Sequence, residues 1–177
     1  MAVAKSIPVH PMQIRFNGIF DWEGLYKMMH DWLVDRYYYV NELPYKHKVP
    51  TVAGYEQEIK WRGWRKVNEW MKYEIRVYFH ILDMNDVEVV LDGKKKTLVK
   101  GRMFIQLQGF VEIDYTGRRA KTAFGQFLNE FYAKYVIKKT METRWWEELN
   151  YSLLKLQKVI RQYLDMSAKG HAYEDVW

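Results

Sequence analysis

Along much of this chain apolar and polar side chains alternate one by one, and in two stretches the spacing changes to three or four residues. Strict alternation marks a strand with one buried face, whereas apolar residues at i, i+3, i+4 and i+7 mark one face of a helix. Alternation first appears in Met12-Gln13-Ile14-Arg15-Phe16. It returns with Ile59, Trp61 and Gly63 on one side and Glu58, Lys60 and Arg62 on the other. The clearest case sets Tyr73, Ile75, Val77, Phe79 and Ile81 against Lys72, Glu74, Arg76, Tyr78 and His80. The longest covers 97–115, where Met103, Ile105, Leu107, Val111, Ile113 and Tyr115 alternate with Arg102, Gln106, Gln108, Glu112 and Asp114. Val87, Val89 and Leu91 form another short run, and Asp92-Gly93 after it predicts a hairpin. Asp83-Met84-Asn85-Asp86 reads as a turn, and 44–54, with Pro44, Pro50 and Gly54, reads as a loop. Gly101 and Gly109 read as bulges or bends within the longest strand.

The helical spacing occurs first at Trp22, Leu25, Tyr26, Met29 and Leu33. Asp21 is a suitable N-cap for this helix, which should end near Arg36, where the β-favouring Tyr37-Tyr38-Tyr39-Val40 begins. From Thr122 to Met166 there is no proline and Gly125 is the only glycine. Phe124, Phe127, Leu128, Phe131 and Tyr135 form one stripe there, and Leu149, Leu153, Leu156 and Ile160 form another. A single helix of that span would be about 67 Å long, against about 40 Å for a compact domain of this size. It should therefore break near 140 or project toward another chain.

Alternation of this quality predicts a sheet with one dry and one wet face, which is the antiparallel signature. The expected fold class is α+β: an antiparallel sheet of about five or six strands, packed on one face by an N-terminal helix and a long C-terminal helical segment. Residues 1–11 read as a tail, 12–166 as a single domain with 122–166 as its helical segment, and 167–177 as a second tail.

Composition narrows the chemistry. A chain of 177 residues that is 49% hydrophobic is large enough for one core, and it has no cysteine, so disulfides, thiolate metal sites and cysteine nucleophiles are excluded. No apolar run reaches the roughly 18 residues of a membrane span, and Met1-Ala2-Val3-Ala4-Lys5 lacks a signal-peptide core. A soluble, cytoplasmic protein is the expectation. The five histidines are scattered without ligand spacing, and neither common glycine-rich phosphate loop occurs, so no metal, no cofactor and no catalytic set is expected. His80 reads as a half-exposed strand residue. Glu74, Glu112 and Asp114 alternate with Lys60, Lys72, Arg76 and Arg102, which suggests cross-strand ion pairs on the wet face.

Two constellations remain, and with no catalytic set to assign, both describe a non-enzymatic role. Trp145 and Trp146 stand beside Leu149 and Leu153 in the C-terminal helix, and adjacent helical positions point about 100° apart. One of the two tryptophans should then face away from the core, so this helix is the first candidate interface for a protein partner or for a homo-oligomer, most simply a dimer. The second constellation is basic and aromatic. It comprises Trp61, Arg62, Trp64 and Arg65, then Lys94, Lys95, Lys96 and Arg102 around the hairpin, and Arg118 and Arg119 in the next loop. With a formal charge of +6, these residues make RNA, DNA or the ribosome the alternative partner, since single strands need stacking faces and phosphate neutralisation together.

The order of strand, helix, meandering strands and long C-terminal helix resembles the helix-grip (START-like) arrangement, in which a curved sheet wraps a C-terminal helix. That resemblance implies a third role, an apolar-ligand carrier with a pocket lined by Tyr73, Ile75, Val77, Ile105, Leu107, Phe127 and Phe131. The run of Lys, Arg, Tyr and Phe over 94–139 is also similar in style to small uncharacterised archaeal proteins.

Overall fold

The computed structural model describes residues 5–69, 71–91, 94–113, 115 and 144–166. Its elements run β1 (Lys5–Pro8), β2 (Met12–Phe20), α1 (Trp22–Val34), β3 (Tyr39–Thr51), β4 (Gly54–Lys66), β5 (Met71–Leu91), β6 (Lys94–Ile113) and α2 (Trp146–Tyr163). The protein is α+β, with six strands in one antiparallel sheet. β1 and β2 lie end to end along one edge of β6, and β5, β4 and β3 follow in that order on its other side.

Several boundaries differ from those read along the chain. The stretch 44–54 is mostly strand, because β3 is an edge strand and an edge tolerates proline on its unpaired side. All four prolines, Pro8, Pro11, Pro44 and Pro50, lie on an edge strand or at the break between β1 and β2. Lys5–Pro8, within the segment expected to be a tail, pairs with Phe110 to Ile113 of β6. Residues 83–86 are a bulge instead of a turn: β5 runs through them, the register shifts between Leu82 and Asn85, and Asp83 takes a positive φ of 56°. Gly101 does sit at that bulge, where an added Cβ would come within 2.9 Å of the Leu82 carbonyl oxygen. Residues 92–93 lie outside the described residues, but Leu91 pairs with Lys94 on either side of them.

Helix α1 begins at the Asp21 cap, whose side chain accepts a hydrogen bond from the Gly24 amide at 3.0 Å. It ends where Tyr37 turns left-handed, with φ 62°, and the Tyr38 amide donates back to the Leu33 carbonyl. Leu25, Met29, Trp32 and Leu33 are buried, and Trp22 and Tyr26 meet Phe79 and Trp61 at ring-centroid distances of 5.4 and 4.6 Å. The helical segment expected over 122–166 is represented by α2, 18 residues long; residues 122–143 lie outside the described ones. Leu149, Leu153, Leu156 and Ile160 of α2 are all buried.

Gly109 is not a bulge. It pairs in register with Ile75, and a Cβ there would lie 2.9 Å from a methyl of Leu149 and 2.9 Å from one of Leu153. The missing side chain is what lets α2 approach β6. The core therefore lies between α1, α2 and the odd-numbered positions of β5 and β6.

Candidate functional site

The opposite face of the sheet carries the even-numbered positions of β4, β5 and β6, and strand register arranges them in rows. One row reads Asn41, Arg62, Arg76, Gln108; the next reads Leu43, Lys60, Tyr78, Gln106, Gln13. These two rows hold three cations and no carboxylate. They line a shallow cleft of about 390 Å³ formed by Leu43, Lys60, Arg62, Arg76, Tyr78, Gln106 and Gln108.

Aromatic rings on this face lie under the cations. Arg76 Cζ is 4.3 Å from the centre of the Phe110 ring, Lys60 Nζ is 5.7 Å from Tyr78, and Arg15 Cζ is 5.7 Å from Phe104. Each pair keeps a cation beside a π face without removing it from water.

A buried carboxylate organises the neighbouring row. Glu74 is 0% exposed in its side chain, and its two oxygens accept from Arg62 Nη2 at 2.7 Å and Arg76 Nε at 2.6 Å. Burial alone would raise the Glu74 pKa, but the hydrogen bonds from Arg62 and Arg76 outweigh it and hold the group well below the ordinary carboxylate range. Both arginine side chains remain about half exposed, at 49% and 53%. Lys72 and Glu112 form the cross-strand ion pair that alternation suggests, at 2.7 Å.

The basic and aromatic residues singled out along the chain are divided between two faces. Trp61 is buried in the core, with its indole N–H donating to the Tyr26 hydroxyl at 3.3 Å, so its ring is not available for stacking on a ligand. Arg65 shares that side: it bonds Glu148 at 3.1 Å and the Arg36 carbonyl at 3.4 Å, and its guanidinium sits over Tyr38 and Tyr73. Arg62 and Trp64 belong to the open face, where Trp64 lies against Tyr39 and Lys72. Strict alternation is the reason, because a strand cannot present consecutive residues to one ligand.

The hairpin lysines are divided too. Lys96 bonds the Asp21 carboxylate at 2.5 Å, and Tyr163 donates to the same oxygen at 3.1 Å. That cluster ties the start of α1 to β6 and to the end of α2. Lys95 is exposed and 3.8 Å from Glu88, and Lys94 begins β6. Arg102 is held by Asp83 at 2.6 Å, across the bulge. Arg118 and Arg119 lie outside the described residues.

In α2, Leu149 and Leu153 are wholly buried against β6 of the same chain, so they face the sheet and present nothing to a partner. Trp145 and Trp146 are both half-buried against the core, and Trp146 donates to the Pro8 carbonyl at 3.1 Å, with His10 edge-on to its ring. Tyr73, Ile75, Val77, Ile105 and Leu107 are buried in the core cluster, while Phe127 and Phe131 lie outside the described residues.

Sequence reasoning misses two features of the open face. Tyr78, Gln106 and Gln108 are recognisable as wet-face residues, but only strand order shows that they adjoin Lys60, Arg62 and Arg76. Spacing leaves His80 isolated, yet pairing sets it opposite Glu58 and within 2.9 Å of Glu56. No helix among the described residues is long and apolar enough to cross a membrane. No protein-family model matches this chain, and no curated protein matches it.

Proposed function

We propose that the open face of the sheet binds single-stranded nucleic acid. The observation that carries this reading is the pair of adjacent rows on β3 to β6, in which Lys60, Arg62 and Arg76 flank Tyr78; the rows themselves hold no carboxylate, and Glu74 of the next row bridges the two arginines. Single strands are held by cations that track the phosphates and by rings on which bases stack, and a sheet offers both on one rigid surface. Gln106 and Gln108 add amide donors and acceptors beside the ring, suited to base edges or sugar hydroxyls. Binding through the open face accounts for more of the geometry than docking through α2, because Leu149 and Leu153 are already buried within the chain.

The test is fluorescence anisotropy with a labelled oligouridylate or oligothymidylate at a series of salt concentrations. Affinity should fall with salt, and changing Lys60, Arg62 and Arg76 together to Ala should lower the log–log slope by about 2, near 0.7 for each phosphate no longer neutralised. Tyr78→Ala should weaken binding by about 1–3 kcal/mol without changing the slope. Lys95→Ala, at the hairpin, should leave both quantities near wild type. Absence of binding at low salt, or a slope indifferent to the triple change, refutes the reading.

A further inference from the structure

At one end of the same face, three side chains converge that sequence spacing does not connect. Glu56 and Glu58 are two residues apart on β4, and His80 lies on β5 directly opposite Glu58. The register shift between Tyr55 and Gln57 falls beside them. His80 Nε2 is 2.9 Å from Glu56 Oε1 and 3.8 Å from Glu58 Oε1, and one donor atom from each of the three residues lies within 4.8 Å of the others.

We propose that Glu56, Glu58 and His80 form a binding site for a divalent transition metal, with Zn²⁺ the best match. One imidazole nitrogen and two carboxylate oxygens are a mixed N/O donor set, which suits zinc better than magnesium or calcium, whose ligands are oxygens. Zinc holds such atoms at about 2.0–2.2 Å in a tetrahedron, so neighbouring donors should stand about 3.3–3.6 Å apart. Two of the three separations, 2.9 and 3.8 Å, bracket that edge, and the third lies within 4.8 Å. Small side-chain rotations then suffice: Glu58 and His80 are paired in the β4–β5 ladder, and Glu56, at the shift in that ladder, is paired with Val49 of β3.

The side chains are 18%, 11% and 26% exposed for Glu56, Glu58 and His80, so the ligands are held by packing while an ion can still enter. Three protein ligands leave a tetrahedral ion one open position. The ordinary alternative for the same atoms is a histidine–carboxylate hydrogen bond. The second carboxylate, Glu58, stands 3.8 Å from the same nitrogen, beyond hydrogen-bond reach, and its presence distinguishes the cluster from a simple pair. The inference does not rest on nucleic-acid binding, although Tyr78 is a neighbour, with its ring 6.1 Å from that of His80.

The experiment titrates ZnCl₂ into the chelator-treated full chain by calorimetry, with no oligonucleotide present. Wild type should take up one tight equivalent. His80→Ala and Glu58→Gln should each raise the Kd at least about tenfold, the scale on which even residues that only support a metal ligand act. His30→Ala, which removes the exposed histidine beside Asp31, should leave the tight equivalent intact. Wild type binding no tighter than His80→Ala, or losing its site with His30→Ala, overturns the proposal. Because His80→Ala could disturb the strand, the wild-type histidine ring signals are followed by NMR in parallel. His80 should shift first with substoichiometric Zn²⁺, and a different histidine shifting first while His80 stays unmoved is equally decisive against the site.

Discussion

Strand β5 presents two opposed surfaces from one run of residues. On the side of the helices Tyr73, Ile75, Val77, Phe79 and Ile81 are wholly or almost wholly buried, and their neighbours are mainly apolar. On the other side Arg76, Tyr78 and His80 remain partly exposed beside one buried carboxylate, Glu74. The first surface is held by area removed from water, which is non-directional and adds up over many contacts. The second is held by a few directional bonds to Glu74, so single changes there should alter charge and ligand affinity more than they alter stability.

Phe79→Ala tests the buried side most severely. The ring is fully buried between Trp22, Tyr26 and Trp61, and its removal should cost about 3–5 kcal/mol in urea denaturation. Binding of an oligonucleotide, measured where the variant is still folded, should be nearly unchanged. A large loss of affinity at full folding would break the contrast between the faces.

Gly109→Ala comes next. The new methyl would meet both Leu149 and Leu153 at 2.9 Å, and forcing α2 away from β6 should cost about 1–3 kcal/mol by the same measurement. A neutral substitution would show that α2 adjusts freely over the sheet.

Glu74→Gln sharpens the comparison because its two effects have opposite signs. Stability should fall by about 1–3 kcal/mol, the lower part of that range being favoured because Arg62 and Arg76 can turn to water. Nucleic-acid affinity should rise, since two guanidinium groups are released from their carboxylate. The pH dependence follows from the sign of the shift. The folded-state pKa of Glu74 is depressed, so its contribution is fully present above the ordinary carboxylate range and is lost as pH falls toward the folded value of about 2. The gap in thermal stability between wild type and variant should therefore narrow, without closing, as pH falls from 7 to 3. Curves that stay parallel would remove Glu74 as the organising group.

The smallest effect belongs to neither face. Tyr37 is 88% exposed and left-handed at φ 62°, so Tyr37→Gly should stabilise the chain by up to about 1 kcal/mol, read as a raised Tm. A lowered Tm would show that the entropy glycine adds to the unfolded chain outweighs relief of the left-handed backbone.

Much of the sheet is legible in the sequence because side-chain period two is a local property. The parity of β5 and β6 read from 72–81 and 102–113 is the parity observed, though β6 ends at Ile113, with Tyr115 in a turn and Asp114 outside the described residues; Asp21 caps α1 where its position before Trp22 suggests. Edge and bulge positions are not legible. Pro44 and Pro50 look like loop residues until β3 is known to lie on an edge, and Asp83 to Asp86 looks like a turn until Arg102 is found across from it. The candidate site is legible only as residue types. Trp61 and Arg62 are adjacent in the chain and belong to opposite sides of the sheet, whereas Arg62 and Arg76 are fourteen residues apart and directly opposed.

The amino-acid order by itself determined which residues are strand or helix over most of the described chain, and which side of each strand is apolar, because those choices depend on neighbours a few positions away. Tertiary structure decided which cations share a surface, which lysine is tied to a helix cap, and that Glu56, Glu58 and His80 meet. Such encounters depend on strand order and register, which are set by how all the apolar faces pack together and which no short window of sequence contains.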